Sequence, residues 1–252
     1  MPGLNSKKAE YLQISFRFPA LFCKKNRSLL GRAYNLMHLM ELHIQSNETV
    51  FEAIVEGVFT RGYAVADGFL PPPETRQIQQ AVSSHYQTGH FNAAGIGKGQ
   101  YYRMNQDIRR DHIHWIDHNS PPDAFVLFFK QLQGLVQYFN RTCYLGIRDM
   151  EFHLAVYPQG GFYKRHLDVF RHTHARKLSV IFYLNADWEE SQGGQLRLYL
   201  PGEDGAEATL DLAPIAGRLV CFNSHTIEHE VLAARRERYS ITGWLKDEPA
   251  LF

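Results

Sequence analysis

Three histidines and one aspartate lie within nine positions of the segment HLDVFRHTH, residues 166–174. If the chain is extended here, the side chains of His166 and Asp168 project from the same face, because side chains alternate along a strand. Mononuclear Fe(II) sites of the two-histidine, one-carboxylate type combine such a pair with one further histidine and leave coordination positions open. The pair therefore predicts a metal site, and His172 and His174 are expected in the following loop.

Two histidines further along the chain are candidates for the third metal ligand. His225 lies in the turn-like stretch NSHT, a context that is typical of a surface loop histidine. His229 opens the strand-like stretch HEVL, and a strand holds its side chains in a fixed direction. His229 is therefore the preferred ligand, and His225 is the alternative.

A second chemical signal is the stretch RYSIT, residues 238–242. Alternation places Arg238, Ser240 and Thr242 on one face, which would either line a pocket inside a small barrel or face solvent. A buried guanidinium needs an anionic partner, and its planar fork of donors suits a carboxylate. A hydroxyl such as that of Tyr183 can add a hydrogen bond. Arg238 with Tyr183 thus predicts a clamp for a small carboxylic acid, and a metal beside it suggests iron with 2-oxoglutarate.

Helices are predicted in the first part of the chain and strands in the second. Helical periodicity predicts helices at 48–60, 71–86 and 123–142, and the glycine-rich residues 88–107 predict a mobile loop or a long hairpin. Short strands separated by turns predict a sandwich or jelly roll from residue 150 onward. The predicted strands are 63–66, 150–157, 162–166, 176–184, 194–200, 208–212, 218–222, 228–232 and 237–245.

Like the strand that contains RYSIT, two more of these strands should have one apolar face for the helices and one mixed face for a cavity. The apolar residues are Leu178, Val180 and Phe182 in one strand and Phe152, Leu154 and Val156 in the other. The residues that alternate with them are Ser179, Ile181 and Tyr183, and His153, Ala155 and Tyr157. This pattern predicts a pocket enclosed by the strands rather than on their outer surface.

Composition excludes several classes of protein. The 252 residues are 44% hydrophobic, which is ordinary for a soluble globular protein, and no apolar run approaches the roughly 20 residues of a membrane span. The three cysteines have no metal-binding spacing and predict free thiols in a reducing, cytoplasmic compartment. Residues 1–40 carry seven basic side chains and one acid, a net +6, which leaves −5 on residues 41–252. A mildly acidic body argues against a nucleic-acid groove.

Five longer motifs surround the candidate site: RRDHIHWID (109–117), YPQGGFYKRHLD (157–168), LSVIFYLNADW (178–188), SQGGQLRLY (191–199) and HEVLAARRERYSITGW (229–244). Through them the chain, from about residue 100 to 247, resembles the 2-oxoglutarate-dependent prolyl hydroxylases of the hypoxia-inducible-factor type and their bacterial relatives. His229 and Arg238 stand nine positions apart, as the family pattern requires. The family's mobile loop over the substrate peptide corresponds to the divergent residues 88–107.

The resemblance implies a mainly β fold with a double-stranded β-helix core and supporting N-terminal helices. It implies a catalytic set of His166, Asp168, His229 and Arg238, in which the first three hold the iron. The residues implied around 2-oxoglutarate are Tyr157, Tyr183, Leu196, Arg238 and Thr242, and those near the substrate are Trp115, Tyr163, Arg176 and Trp244.

The implied organisation of the chain has three parts. Residues 1–40 are expected to be a basic, poorly ordered extension, with a targeting peptide as the alternative and Met37 or Met40 as alternative starts of the protein. Residues 41–144 would supply helical support and the mobile substrate loop 88–107. Residues 145–247 would form the double-stranded β-helix of an Fe(II)/2-oxoglutarate dioxygenase.

The activity that the resemblance implies is that of a peptidyl-prolyl 4-hydroxylase. Such an enzyme uses Fe(II), 2-oxoglutarate and dioxygen, with ascorbate as an optional stimulant, and releases succinate and CO2. The implied partner is a proline-containing protein, and the bacterial relatives make elongation factor Tu a candidate. No nucleic-acid or membrane partner is expected.

Three alternatives explain part of the same pattern. One is a hydroxylase of a free amino acid or another small molecule on the same fold. Another is a metal-binding sensor module without turnover, which would have no use for the carboxylate clamp. The third is a zinc hydrolase with the same three metal ligands, which leaves Arg238 unexplained.

Overall fold

The computed structural model describes residues 47–96, 103–169, 175–202 and 205–248. The helices are 47–61 (α1), Pro72–Gln87 (α2) and Val126–Cys143 (α3). The strands are Tyr63–Ala66 (β1), Asn92–Ala93 (β2), His112–Ile116 (β3), Asp149–Tyr157 (β4), Tyr163–His166 (β5), Arg176–Tyr183 (β6), Leu196–Pro201 (β7), Glu207–Leu212 (β8), Leu219–Asn223 (β9), Glu228–Val231 (β10) and Arg238–Lys246 (β11).

Two antiparallel sheets form the body of the protein. The larger has seven strands in the order β1-β9-β6-β11-β4-β3-β2, and the smaller has four in the order β5-β10-β7-β8. From β4 to β11 the chain passes from one sheet to the other, except at the β7–β8 hairpin. This arrangement is a double-stranded β-helix, so the predicted fold class is confirmed.

The helices cover the outer face of the larger sheet. Phe128 of α3 lies with its ring centroid 5.1 Å from that of Phe182 and 6.0 Å from that of Phe152. Ile78 and Val82 of α2 belong to the same buried cluster. The apolar faces predicted for β4 and β6 therefore do face the helices, because their alternation leaves the other face for the space between the sheets.

The inner faces of the two sheets enclose a second, smaller apolar cluster. Ala155, Ile181 and Phe222 of the larger sheet contact Leu198 and Val231 of the smaller one. Tyr157 and Tyr183 are buried in the same layer, so the mixed faces point inward as predicted. This layer surrounds the candidate site.

Most predicted elements agree with the structure, and a few differ. Each predicted strand begins and ends within two residues of the observed one. Two strands, β2 and β3, were not predicted, because His112–Ile116 mixes histidines with apolar residues and has no clear period. The third helix starts with a short 3-10 turn, Asp123–Phe125, before α3.

Two predictions about local conformation need correction or fall outside the structure. The strand that carries the His-x-Asp pair ends at His166, so Asp168 lies on a bend beyond β5 rather than within the strand. In the glycine-rich stretch, β2 pairs with β3 and Ile96 bridges Arg103 in antiparallel fashion. Residues 97–102, the extension 1–40, and His172 and His174 lie outside the described residues, and the predicted domain division stays a prediction.

Within the described residues, no helix combines the length and the apolar composition that crossing a bilayer would require.

Candidate metal centre and co-substrate pocket

His166, Asp168 and His229 meet between the two sheets. His229 of β10 pairs directly with His166 of β5 in the strand register. The Nε2 atoms of His166 and His229 lie 3.6 Å and 3.5 Å from the carboxylate oxygens of Asp168. One ligand atom from each residue lies within 4.8 Å of the others, which is close enough to share one metal ion. His225 is not part of this group.

Backbone carbonyl groups orient the two histidine rings. Nδ1 of His166 lies 2.7 Å from the carbonyl oxygen of Lys164, and Nδ1 of His229 lies 3.3 Å from that of Ile227. An imidazole that donates its Nδ1 hydrogen to a carbonyl presents the lone pair of Nε2 to a metal. The local strand geometry therefore aims both rings at the same point.

The carboxylate of Asp168 is held by a chain of hydroxyl groups and charges. Ser179 donates a hydrogen bond to it at 2.7 Å and lies 2.9 Å from the hydroxyl of Ser224. Burial alone raises the pKa of Asp168, but the neighbouring His229 and His166 outweigh it and hold that pKa well below its usual range. Burial and the nearby His166 lower the pKa of His229 to about 4. At neutral pH, Asp168 is thus charged and His229 neutral, as a divalent metal requires.

A cavity of about 770 Å³ opens beside these three residues. Its lining includes residues of both sheets, from Trp115, which is 54% exposed, to Arg238, which is 1% exposed. We call the part around Trp115 and Trp244 the mouth, the part around the three candidate metal ligands the middle, and the part around Arg238 the inner end.

Arg238, which lines the inner end, and Tyr183, which packs against it, carry buried donors that are not satisfied. The guanidinium carbon of Arg238 lies 5.0 Å from the ring centroid of Tyr183, and its Nε donates to the carbonyl oxygen of Gly194 at 2.8 Å. Among the described residues, neither Nη2 of Arg238 nor the hydroxyl of Tyr183 has a hydrogen-bond partner, and both atoms are buried. Such groups destabilise a fold unless something binds them. A carboxylate would accept hydrogen bonds from both, so the residues present fit 2-oxoglutarate.

The other residues predicted around the co-substrate lie in the same cavity. Tyr157, Leu196 and Thr242 line it, and the ring centroid of Tyr157 lies 4.8 Å from the guanidinium carbon of Arg238. Burial raises the pKa of Tyr157 above its ordinary value, so its hydroxyl stays protonated. Leu196 is fully buried and supplies an apolar wall.

The four residues predicted near the substrate all line the mouth. The rings of Trp115 and Trp244 lie 6.4 Å apart, and the guanidinium of Arg176 lies 3.4 Å from the ring centroid of Trp244. Tyr163 stacks on His166 with a centroid distance of 3.6 Å. The mouth is therefore an aromatic surface that reaches the candidate metal ligands.

Two features of the mouth were missed from the sequence. Arg109 makes a bidentate ion pair with the buried Asp111, at 2.7 Å and 2.6 Å, and its guanidinium carbon lies 4.2 Å from the ring centroid of Tyr163. His153 is buried against Trp115, with ring centroids 5.1 Å apart. Arg109 and Asp111 were noted only within a family motif, and His153 only as one member of a mixed strand face.

Comparison with known families agrees with this geometry. Residues 152–246 match the family model of the 2OG-Fe(II) oxygenase superfamily. A hypoxia-inducible factor prolyl hydroxylase from Caenorhabditis elegans is 28% identical over 230 residues, which are 86% of this chain and 31% of that protein. Egl nine homolog 1 from Homo sapiens is 31% identical over 204 residues, which are 78% of this chain and 46% of that protein. The chain thus spans less than half the length of these two relatives.

Solved structures give likenesses that span nearly all of the compared chain. A prolyl-4-hydroxylase from Pseudomonas putida is 37% identical with a TM-score of 0.69, and the match covers 79% of this chain and all of that one. A prolyl hydroxylase from Trichoplax adhaerens, solved with a hypoxia-inducible-factor oxygen degradation domain peptide, is 30% identical with a TM-score of 0.73. That match covers 82% of this chain and 93% of the other.

Proposed function

The chain belongs to the 2OG-Fe(II) oxygenase superfamily, in the group that contains these prolyl hydroxylases, and from that premise we propose that it hydroxylates a prolyl residue of a protein substrate. The observation that carries the proposal is a cavity in which a two-histidine, one-carboxylate cluster stands next to Arg238. Among the described residues, neither a buried donor of Arg238 nor the hydroxyl of Tyr183, which packs against it, has a hydrogen-bond partner. That combination supports a metal used together with a carboxylic co-substrate.

In this proposal His166, Asp168 and His229 hold Fe(II). When bound, iron with 2-oxoglutarate and dioxygen supplies the oxidation: 2-oxoglutarate takes up one oxygen atom and loses CO2 to become succinate, and the other oxygen atom is inserted into a substrate C–H bond. The protein keeps the imidazole of His229 neutral and the carboxylate of Asp168 charged. Ser179 keeps the carboxylate in place through its hydrogen bond.

The co-substrate would be held by its distal carboxylate. Arg238 and Tyr183 would donate to that group, while Leu196 packs against the carbon chain and Tyr157 and Thr242 border it. The keto end of the co-substrate would then lie toward the three metal ligands. Trp115, Tyr163, Arg176 and Trp244 would then hold the target residue over the remaining side of the metal, away from bulk water.

A peptide substrate suits the mouth better than a free amino acid does. Trp115 lines the cavity and is 54% exposed, so it extends the aromatic surface to where residues next to a target proline would lie. The prolyl hydroxylases named above also support a peptide substrate, and we propose elongation factor Tu as a candidate partner. A cytoplasmic location is part of the proposal, supported by the free thiols of Cys143 and Cys221.

The decisive experiment uses a cell lysate and a library of proline-centred peptides. The enzyme is incubated with Fe(II) and 2-oxoglutarate in air, and proteins or peptides that gain one oxygen atom on proline are identified by mass spectrometry. We expect succinate release to match peptide hydroxylation and Asp168→Ala to lose both together with iron binding. Free proline that turns over faster than any peptide would instead establish the small-molecule alternative.

Absence of turnover would leave two further alternatives to separate. Fe(II) is added under nitrogen, followed by 2-oxoglutarate. An absorption band that appears on adding 2-oxoglutarate supports a chelated co-substrate, whereas iron binding without such a band supports a sensor module. Zinc-dependent hydrolysis without iron would point to the hydrolase.

A further inference from the structure

The mouth of the cavity contains two buried polar atoms without partners. These atoms are Nδ1 of His153 and the indole Nε1 of Trp244, and neither has a hydrogen-bond partner among the described residues. His153 is 4% exposed and Trp244 is 8% exposed, and both line the cavity. Their ring centroids lie 5.5 Å apart, because His153 of β4 pairs with Thr242 of β11 and Trp244 lies two positions further along β11, diagonally across from His153.

The charged groups around these two atoms already have partners. Nε of Arg176 donates to Glu151 at 2.8 Å, and Arg109 is paired with Asp111. Burial, together with the positive charges of Arg109 and Arg176, lowers the pKa of His153 to about 3, so the imidazole is neutral. The two polar groups without partners, those of His153 and Trp244, are therefore both uncharged.

The two atoms complement a peptide backbone. The indole N–H of Trp244 can only donate, whereas Nδ1 of a neutral His153 can accept. A peptide segment offers a carbonyl acceptor and an N–H donor in every residue except proline, which lacks the N–H. A free amino acid or a charged ligand has no such pattern of neutral groups.

We propose that His153 and Trp244 form a hydrogen-bonding pair that recognises the backbone of the bound substrate beside the target proline. Trp244 donates to a substrate carbonyl, and His153 accepts the N–H of a residue next to the proline. The inference rests on the proposed function and makes His153 a specificity-determining residue that favours a peptide over free proline.

The test compares three variants with the wild-type enzyme. The probe is the proline-centred library peptide that binds the wild type most tightly, and its affinity is measured by calorimetry on the Fe(II)/2-oxoglutarate enzyme under nitrogen. His153→Leu and Trp244→Phe each remove one polar atom and keep an apolar side chain. We expect each to weaken peptide binding about tenfold, whereas His153→Asn, which keeps a polar atom near Nδ1, stays within about threefold.

His112 supplies a matched control for the substitution. Its Nδ1 is also buried without a partner among the described residues, but it does not line the cavity, and its ring packs 5.7 Å from that of Tyr86. His112→Leu should therefore leave peptide affinity unchanged. The absorption band with 2-oxoglutarate should stay the same in His153→Leu, which separates a substrate effect from damage to the metal site.

Two results would overturn the inference alone. One is peptide binding by His153→Leu and Trp244→Phe that is as tight as in the wild type, with the absorption band intact. The other is a loss of peptide affinity in His112→Leu as large as that in His153→Leu, which would mean that changed packing, not a lost hydrogen bond, weakens binding. A wild-type enzyme that shows the band but binds no library peptide would overturn the proposed peptide substrate and this pair together.

Discussion

At the scale of single residues, Arg238 is the side chain whose burial most needs an explanation. It is 1% exposed, and its Nη2 has no partner among the described residues. A buried, incompletely paired guanidinium destabilises a fold, and apolar replacements of buried charges are often neutral or stabilising. Its presence is therefore explained by a ligand rather than by stability.

Replacement of Arg238 by methionine tests this explanation. Arg238→Met should raise the KM for 2-oxoglutarate about 100-fold, because the ligand carboxylate loses its charged partner, while the melting temperature stays the same or rises. Succinate release against 2-oxoglutarate concentration and a thermal melt measure the two effects. Arg235→Met, at an exposed position, is the control, and a large loss of stability with unchanged KM would contradict the explanation.

The buried imidazole of His153 should also make the free energy of unfolding depend on pH. Its folded-state pKa of about 3 lies below the ordinary value of 6.5, so below pH 6.5 the unfolded chain binds a proton that the folded chain does not. Acid therefore favours unfolding through this group. When the pH is lowered from 6.5 to 4.5, the free energy of unfolding should therefore fall by up to about 2 kcal/mol less in His153→Leu than in the wild type.

Urea denaturation of the metal-free protein across that pH range measures this effect. His114→Leu is a suitable comparison, because His114 is only partly buried. Parallel pH profiles for the wild type and His153→Leu would show that His153 is not held neutral by burial.

At the scale of elements, the turn before β7 positions the carboxylate clamp. Gly194 has a φ of +67°, and its carbonyl oxygen accepts the hydrogen bond from Nε of Arg238. A Cβ at this position would lie 3.2 Å from Cδ of Arg238 and 3.0 Å from the ring of Trp188. The turn therefore needs glycine for its conformation and for the space beside the clamp.

Gly194→Ala should weaken 2-oxoglutarate binding about tenfold, because the methyl group displaces Arg238. Gly205→Ala is the matched control, since Gly205 has a φ of +76° but a Cβ added there would have no atom within 4 Å. Both variants should lose about 1 kcal/mol of stability through backbone strain. Equal 2-oxoglutarate affinity in the two variants would show that the turn at Gly194 does not position Arg238 for binding the co-substrate.

Alternation within single strands was predictable because it depends on local sequence. The apolar faces of β4 and β6 and the polar positions of β11 were found in this way. The short strands β2 and β3 were not, since their residues carry no clear period. Strand β3 is held by pairing with β4, and β2 by pairing with β3.

At the scale of the whole molecule, the helical layer seals one face of the larger sheet. Cys221 of β9 lies in the apolar cluster between the helices and this sheet and is fully buried. Burial raises the pKa of its thiol to about 12. The reactive thiolate is therefore nearly absent in the folded protein.

Alkylation of Cys221 should for this reason report global unfolding. Iodoacetamide at neutral pH should leave Cys221 unmodified in the native protein, and modification should rise with the urea unfolding curve. Peptide mass spectrometry measures the modified fraction, with the partly exposed Cys143 as the internal comparison. Rapid modification of Cys221 without urea would mean that the helices open independently of the sheet.

The sequence by itself determined the fold class and the side chains that could do chemistry. The His-x-Asp pair, the polar face of Arg238, Ser240 and Thr242, and the family motifs depend on spacing along one segment, which a strand converts directly into a shared face. The family and the fold were confirmed, and the roles of the site residues stay predictions.

Only the tertiary structure decided which distant residues meet. The pairing of His229 with His166, the ion pair of Arg109 under Tyr163, and the position of His153 beside Trp244 follow from packing and from strand register. Register is a property of two segments and their hydrogen bonds, so the periodicity of one segment does not contain it. Burial likewise depends on many residues at once. Among the described residues, it leaves unsatisfied atoms on Arg238, His153 and Trp244, which line one cavity, and on Tyr183 beside Arg238.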